Sequence, residues 1–184
     1  MLSAATGGHV MRHATLLFLT IALLPIHARS EVIQSAADGA LIEHRFQVPG
    51  TTAEAWRALI HPELWWPEDH TWSGSRANLS LVPAAGGCYC ENWADGSAEH
   101  ARVVMAIPGR LLRMRGALGP LQQMAVTGVL TVALEPGEAG TAITVTYRLS
   151  GDASHKLDQF VPVVDKVLGL QFGAFAGFAG RGAP

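Results

Sequence analysis

The sequence predicts an α+β domain: a seven-stranded antiparallel sheet, two short helices after its first strand, and one long helix at the C-terminus. Three observations carry this reading. Short runs of alternating apolar and polar residues are separated by Gly, Pro and Asp. Helical spacing is confined to residues 51–66 and to the stretch after 154. No repeat at a period of about 20 to 50 residues breaks that order, which excludes solenoids and propellers. Composition agrees, since 49% of the 184 residues are hydrophobic and 15% charged, a globular profile for one domain.

In chain order, residues 1–28 read as a signal peptide, with a weakly basic start, an apolar run over 14–24 and an expected cleavage after Ala28. That run is too short for a spanning helix, and the remainder is expected to be secreted or periplasmic. Met11, followed by Arg12 and His13, offers an alternative start with a tidier basic region. Residues 29–39 read as a linker and 40–180 as the folded domain, with a short tail at 181–184.

Over 40–48, Ile42, His44, Phe46 and Val48 alternate with Leu41, Glu43, Arg45 and Gln47, the pattern of a half-buried strand. Pro49 and Gly50 end it. Thr51 or Thr52 can cap a helix in which Ala53, Trp56, Leu59 and Ile60 share a face, with Glu54 well placed against the dipole. A second short helix starts at Pro62 and is stopped by Pro67. Strands follow at 78–82, 88–93, 99–107, 111–116, 125–134 and 142–149, each pair separated by a Gly-containing turn. From 154 to 180 the period changes: Phe160, Val164, Leu168, Phe172, Phe175 and Ala179 recur every three or four residues. Because Pro162 is tolerated only near a first turn, the regular helix is expected to start near it, with 157–160 as a separate turn. Glycines at 169, 173 and 177 should leave the last turns weak unless a neighbour packs closely on them, and the uncharged run over 167–180 is short for a membrane span.

Several motifs together resemble a known family. They are His61, Pro62, Trp65, Trp66, Asp69, His70, Thr71, Ser73 and Gly74; Gly86, Gly87, Cys88 and Glu91; Glu99, His100, Val103 and Val104; Pro108, Gly109, Leu111, Leu112 and Arg113; residues 116–120; and Val164, Asp165, Val167, Leu168 and Gln171. Over residues 41–171 the chain resembles a bacterial branch of the polyketide cyclase/dehydrase and SRPBCC proteins, within the START-like superfamily. The resemblance implies the helix-grip arrangement: a curved sheet around the C-terminal helix with an apolar cavity between them. It implies no single reaction, since function lies in the site and not in the fold. The chain departs from the pattern at its C-terminus, which is Gly-rich where such proteins carry a charged amphipathic end.

A cavity of that kind is expected to take a small hydrophobic molecule. Trp65, Trp66 and Trp72, clustered beside Pro67, read as its lid, with His70 on the same loop. Tyr89, Trp93, Met114, Val164 and Leu168 complete the expected lining. Alternation sets Tyr89, Glu91 and Trp93 on one face of their strand and Cys88, Cys90 and Asn92 on the other, without saying which face is inside. If the domain is an enzyme, the catalytic candidates are Glu91, Glu99 and His100: a carboxylate in an apolar cavity has a raised pKa and can exchange a proton beside a histidine. The plainer reading pairs the two glutamates with Arg102 or Arg113 in solvent.

Cys88 and Cys90 should lie about 6.5 to 7 Å apart in a regular strand, at the upper edge of disulfide reach. They read as small core residues, with a labile disulfide or metal ligation as alternatives. No metal site or cofactor motif accompanies them, and a net charge of −2 gives no broad basic face for nucleic acid. The function expected is binding of a small hydrophobic molecule for carriage, sensing or sequestration; the alternative is a cyclase, dehydratase or hydrolase working through a cavity carboxylate and histidine. Export disfavours a third class, a partner of cytosolic chaperone ATPases. Oligomeric state is not read from the sequence.

Overall fold

The computed structural model describes residues 29–182; the expected signal peptide lies outside them. The chain forms β1 (Arg29–Ala36), β2 (Gly39–Val48), α1 (Thr52–Leu59), α2 (Pro62–Trp65), β3 (Leu79–Leu81), β4 (Cys88–Trp93), β5 (Gly96–Ile107), β6 (Leu111–Arg115), β7 (Thr127–Gly137), β8 (Gly140–Ser150) and α3 (Leu157–Ala179). Every neighbouring pair is antiparallel in a single sheet of order β1-β2-β8-β7-β6-β5-β4-β3. The α1–α2 connection therefore carries the chain from one side of the sheet to its far edge. Thr51 and Glu54 close a capping box at the start of α1, which satisfies backbone N–H groups that a helix end leaves open.

Among the described residues eight strands form where seven were expected, because the stretch read as a linker is β1. It has no buried stripe to reveal it, being exposed from Arg29 to Ser35. Backbone pairing with β2 and a hydrogen bond from Ser30 Oγ to Asp165 Oδ1 of α3, 2.5 Å long, hold it at the sheet edge. The other correction concerns α3, which begins at Leu157 and runs through Pro162. Leu157 is fully buried and its N–H donates to Ala37 O at 3.0 Å, so the first turn is anchored. Pro162 sits on the exposed side, where water can take up the carbonyl that it leaves unbonded.

The core lies between the sheet and α3. Ile42, Phe46 and Val48 from β2 and Ile143, Val145, Tyr147 and Leu149 from β8 meet Leu168, Phe172, Phe175 and Ala176 from the helix. By length and composition α3 is apolar enough to cross a membrane, yet its inner face is a wall of this core. Its glycine-rich end stays helical through Ala179, with Phe175 and Ala176 buried. Gly169 has a packing reason: a Cβ there would stand 3.1 Å from the His44 ring. Its absence lets His44, buried in β2, reach under the helix to Asp165 at 2.9 Å. Gly173 has no such neighbour within 4 Å.

Trp65 belongs to the core and not to a lid. It is 6% exposed, its Nε1–H donates to Ala58 O at 2.9 Å, and its ring lies 5.2 Å from that of Phe175. Trp65→Ala is expected to cost about 3 to 5 kcal/mol, read from denaturant unfolding; a loss within the range of a surface substitution would contradict this packing. Gly173→Ala should stabilise by about 0.5 to 1 kcal/mol, since glycine is costly within a helix and the space is open. A lower melting temperature for that variant would show that the position is crowded.

Candidate functional site

β4 turns Tyr89 and Glu91 inward and Cys88, Cys90 and Asn92 outward, which settles the face left open by alternation. On β5 the alternation breaks, because a bulge between Tyr89 and Cys90 sets an extra β5 residue, His100, into the ladder. As a result His100 and Ala101 are both buried. A bulge re-aims a side chain, and here it turns His100 toward Glu91.

Glu91 is fully buried and saturated with donors. Its Oε2 accepts from Trp72 N–H at 3.0 Å and from His100 Nε2 at 3.0 Å, and its Oε1 accepts from Ser73 N–H at 2.5 Å. Burial works to raise its pKa, but the bonds from Ser73, Trp72 and His100 together outweigh it and hold the carboxyl below its ordinary value. The expectation of a raised pKa thus fails, because the surround of Glu91 is not apolar at the carboxylate itself. Burial lowers the His100 pKa despite the Glu91 carboxylate. The pair is therefore a charged carboxylate and a neutral imidazole whose Nε2–H points at it; Nδ1 has no partner among the described residues. Tyr89 lies against the His100 ring at 5.0 Å, and burial, with the Glu91 charge, pushes its phenol well above the ordinary value.

In front of His100 a cleft opens between α3, the loop after α2 and the segment that follows β6. It has two lobes that share Leu118, Gly119, Pro120, Val167 and Gln171. One, of about 250 Å³, is lined by Trp66, Asp69, His70, Thr71, Trp72 and His100. The other, of about 140 Å³, is apolar, with Phe160, Val163, Val164 and Leu168 along the helix. The wall common to both is fixed by Tyr147, whose hydroxyl donates to Gly116 O at 3.0 Å and accepts from Leu118 N–H at 2.9 Å. Burial pushes this phenol up to about 12. Gly128 makes room for it, since a Cβ there would come 2.5 Å from the hydroxyl.

Two polar atoms along the cleft are buried without a hydrogen-bond partner among the described residues, Gln171 Oε1 and His70 Nδ1. A buried polar atom left unpaired is costly, so these are places where an occupant or water can be held.

The cleft gathers Trp66, His70, Trp72 and His100 in one lobe and Val164 and Leu168 in the other. Trp66 is buried, with its Nε1–H on His70 O at 3.0 Å, whereas Trp72 is 48% exposed and stands at the mouth. Trp65, Tyr89 and Met114 surround a small void of about 20 Å³ farther in. Trp93 lies over Gly96 at the β4–β5 turn, outside the lobes. Glu99 is exposed on the outer sheet face and paired with Arg102, so it cannot act with His100 in the cleft. Cys88 and Cys90 are half-buried on that same outer face, with their sulfurs bonded to each other. The reading of them as free core residues is thereby corrected. Among the described residues, the one His/Cys/Asp/Glu group with metal-ligand spacing is Cys88, Cys90 and Glu99.

Sequence reasoning missed Gln171 as a lining residue, along with Phe160, Val163, Val167 and the wall at 118–120. The signal for Gln171 was present: it is a lone amide on the helical face of Leu168, Phe172 and Phe175.

No family model matches the chain, and no curated protein matches it. Solved structures do. A Rhodobacter sphaeroides protein matches with a TM-score of 0.54 at 14% identity, over 82% of this chain and 97% of its own. An uncharacterised Rhizobium leguminosarum protein matches with 0.54 at 18% identity, over 84% and 99%. The di-domain ARO/CYC StfQ of the steffimycin biosynthetic pathway matches with 0.53 at 16% identity, over 80% of this chain and 51% of its own. Likeness at these identities speaks to architecture alone: the chain has the helix-grip fold, an antiparallel sheet with a long C-terminal helix set against it.

Proposed function

We propose that this domain binds a small, largely apolar molecule in the cleft between sheet and α3, as a carrier, sensor or sequestering protein of the bacterial envelope. The observation that carries the reading is the pairing of an apolar lobe with a lobe holding the unpartnered Gln171 Oε1 and His70 Nδ1. A few polar groups within a mostly apolar concavity are the ordinary chemistry of a ligand pocket. The expected removal of residues 1–28 supplies the envelope location, and N-terminal sequencing of the mature protein tests it. Retention of the apolar run 14–24 would remove that part of the proposal.

Filling the apolar lobe tests the pocket. Val164→Trp is expected to weaken binding of an uncharged fluorescent apolar probe at least about tenfold while the melting temperature stays near that of the parent, since Val164 is only half-buried. Unchanged affinity would place the binding elsewhere.

A second reading is acid–base catalysis of the cyclase or dehydratase kind, favoured by the His100–Glu91 contact and by the fold shared with StfQ. Here His100, held by the carboxylate, would accept a proton at Nδ1 from a substrate in the larger lobe. His100→Gln should then lower turnover by about 100-fold or more with little effect on binding. A pure binding protein would show no turnover to lose.

Both members of the pair make the fold acid-sensitive. The folded pKa of each lies below its ordinary value, 6.5 for His100 and 4.5 for Glu91, so the unfolded chain binds protons more readily. Stability therefore rises with pH. On acidification the His100 contribution begins to fall away below about pH 6.5 and that of Glu91 below about pH 4.5. Melting temperature measured from pH 8 to 4 should fall in that order. The His100→Gln variant should lose the upper part of the slope; an unchanged slope would contradict the assignment.

A further inference from the structure

The outer face of β4 carries chemistry that the cleft does not use. The sulfurs of Cys88 and Cys90 are bonded to each other across Tyr89, and a Glu99 carboxylate oxygen lies within 4.8 Å of both. Glu99 is held by Arg102, whose Nε and Nη2 donate to its two oxygens and whose Nη1 donates to Gly86 O at 3.0 Å. In the ladder Cys88 faces Arg102 and Cys90 faces Glu99. Glu99 and Arg102 are about half exposed and the cysteines half-buried, so sulfurs, carboxylate and guanidinium form one patch within reach of solvent.

Such a bond is poorly suited to be a staple. Cross-linking stabilises by restricting the unfolded chain, and that effect shrinks with the length of the loop closed; this loop has one intervening residue. Nor does a regular strand favour the bond, since residues two apart are separated by about 6.5 to 7 Å. The observed Cα separation is 5.4 Å, beside the bulge that admits His100. The surroundings instead suit a reacting sulfur: Glu99 offers a proton acceptor within reach, and Arg102 compensates its charge, which would otherwise disfavour a thiolate there.

We propose that Cys88 and Cys90 form a thiol–disulfide exchange site whose partner is a dithiol, small or protein-borne. A thiolate of the partner attacks one Sγ. The Cys88–Cys90 bond breaks, a mixed disulfide forms, and the electron pair leaves on the other Sγ as a thiolate. The partner's second thiol passes its proton to that thiolate and attacks the partner's own sulfur in the mixed disulfide, so that the remaining cysteine departs as a thiolate. The partner leaves as an oxidised disulfide, and the cysteine pair is reduced by two electrons. The reverse sequence reoxidises the pair.

The test equilibrates the full chain with stepped ratios of reduced to oxidised dithiothreitol, traps free thiols by alkylation, and reads the mass. The expected result is reversible passage between no and two alkylated cysteines while the far-UV circular dichroism stays native. Arg102→Gln should slow reduction by about tenfold at neutral pH, because it leaves the Glu99 charge beside the sulfurs uncompensated against both the attacking and the leaving thiolate. Parent protein alone decides the main point should that variant fail to fold. Three results would overturn the proposal: a bond that opens only after denaturation, thiols that stay free under the oxidised reagent, or one equivalent of zinc that copurifies and shields both sulfurs.

Discussion

The carboxylate of Glu91 is the interaction on which the candidate site depends. It lies inside the sheet face, fully buried, where an unpaired charge would be untenable. Three donors answer it: two successive backbone N–H groups of the loop after α2 and the Nε2 of His100 on the neighbouring strand. Each donor is placed by the need to satisfy that charge. The loop carrying Trp72 and Ser73 is drawn onto the sheet, and the His100 ring takes one orientation and one tautomer. The mouth of the cleft inherits its shape from both. A site built in this way cannot lose its anion without also losing its loop, so Glu91 is a positioning residue before it is anything else.

A second fixed point stands across the cleft. The Tyr147 hydroxyl binds both a carbonyl and an N–H of the segment that follows β6, and Gly128 leaves the space for it to do so. Anchored walls of this kind let the cleft keep its form without an occupant, which lowers the ordering cost of binding. The helix forming the remaining wall is seated through Gly169 over His44, so one missing methyl sets how closely α3 approaches β2.

Much of the fold was legible because its signals are local. β4 was bounded correctly by its flanking turns, and α1 by Thr51 and the spacing of its apolar face. β1 was not, because an edge strand with both faces exposed has no period to read; its evidence is the backbone partner that only the tertiary structure supplies. The start of α3 was misplaced for a related reason, since the burial of Leu157 outweighs the local cost of Pro162. The site was legible as a list of residue types and not as a geometry. Plain alternation already sends the neighbours Glu99 and His100 to opposite faces of one strand, but no alternation rule anticipates the inserted residue that buries His100 beside Ala101 and sets it against Glu91. The tryptophans diverge likewise. Trp65 fills the core and Trp72 meets solvent, although the sequence offers both as aromatic residues of one short segment.

The lining of the cleft also has a sign. Its ionisable members among the described residues are Asp69, His70 and His100, with Tyr147 deep in the wall; no lysine or arginine joins them. Behind His100 stands the ionised Glu91, and burial keeps the imidazole uncharged. In the proposed binding mode a carboxylate head would meet no lysine or arginine in this lining and would face the ionised Glu91 behind His100. An alcohol, a phenol or an amine would instead find acceptors in Gln171 Oε1 and in an imidazole nitrogen. In the proposed binding role the cleft would then select by charge as well as by shape, favouring a neutral or cationic head over an anionic one among molecules of equal apolar bulk.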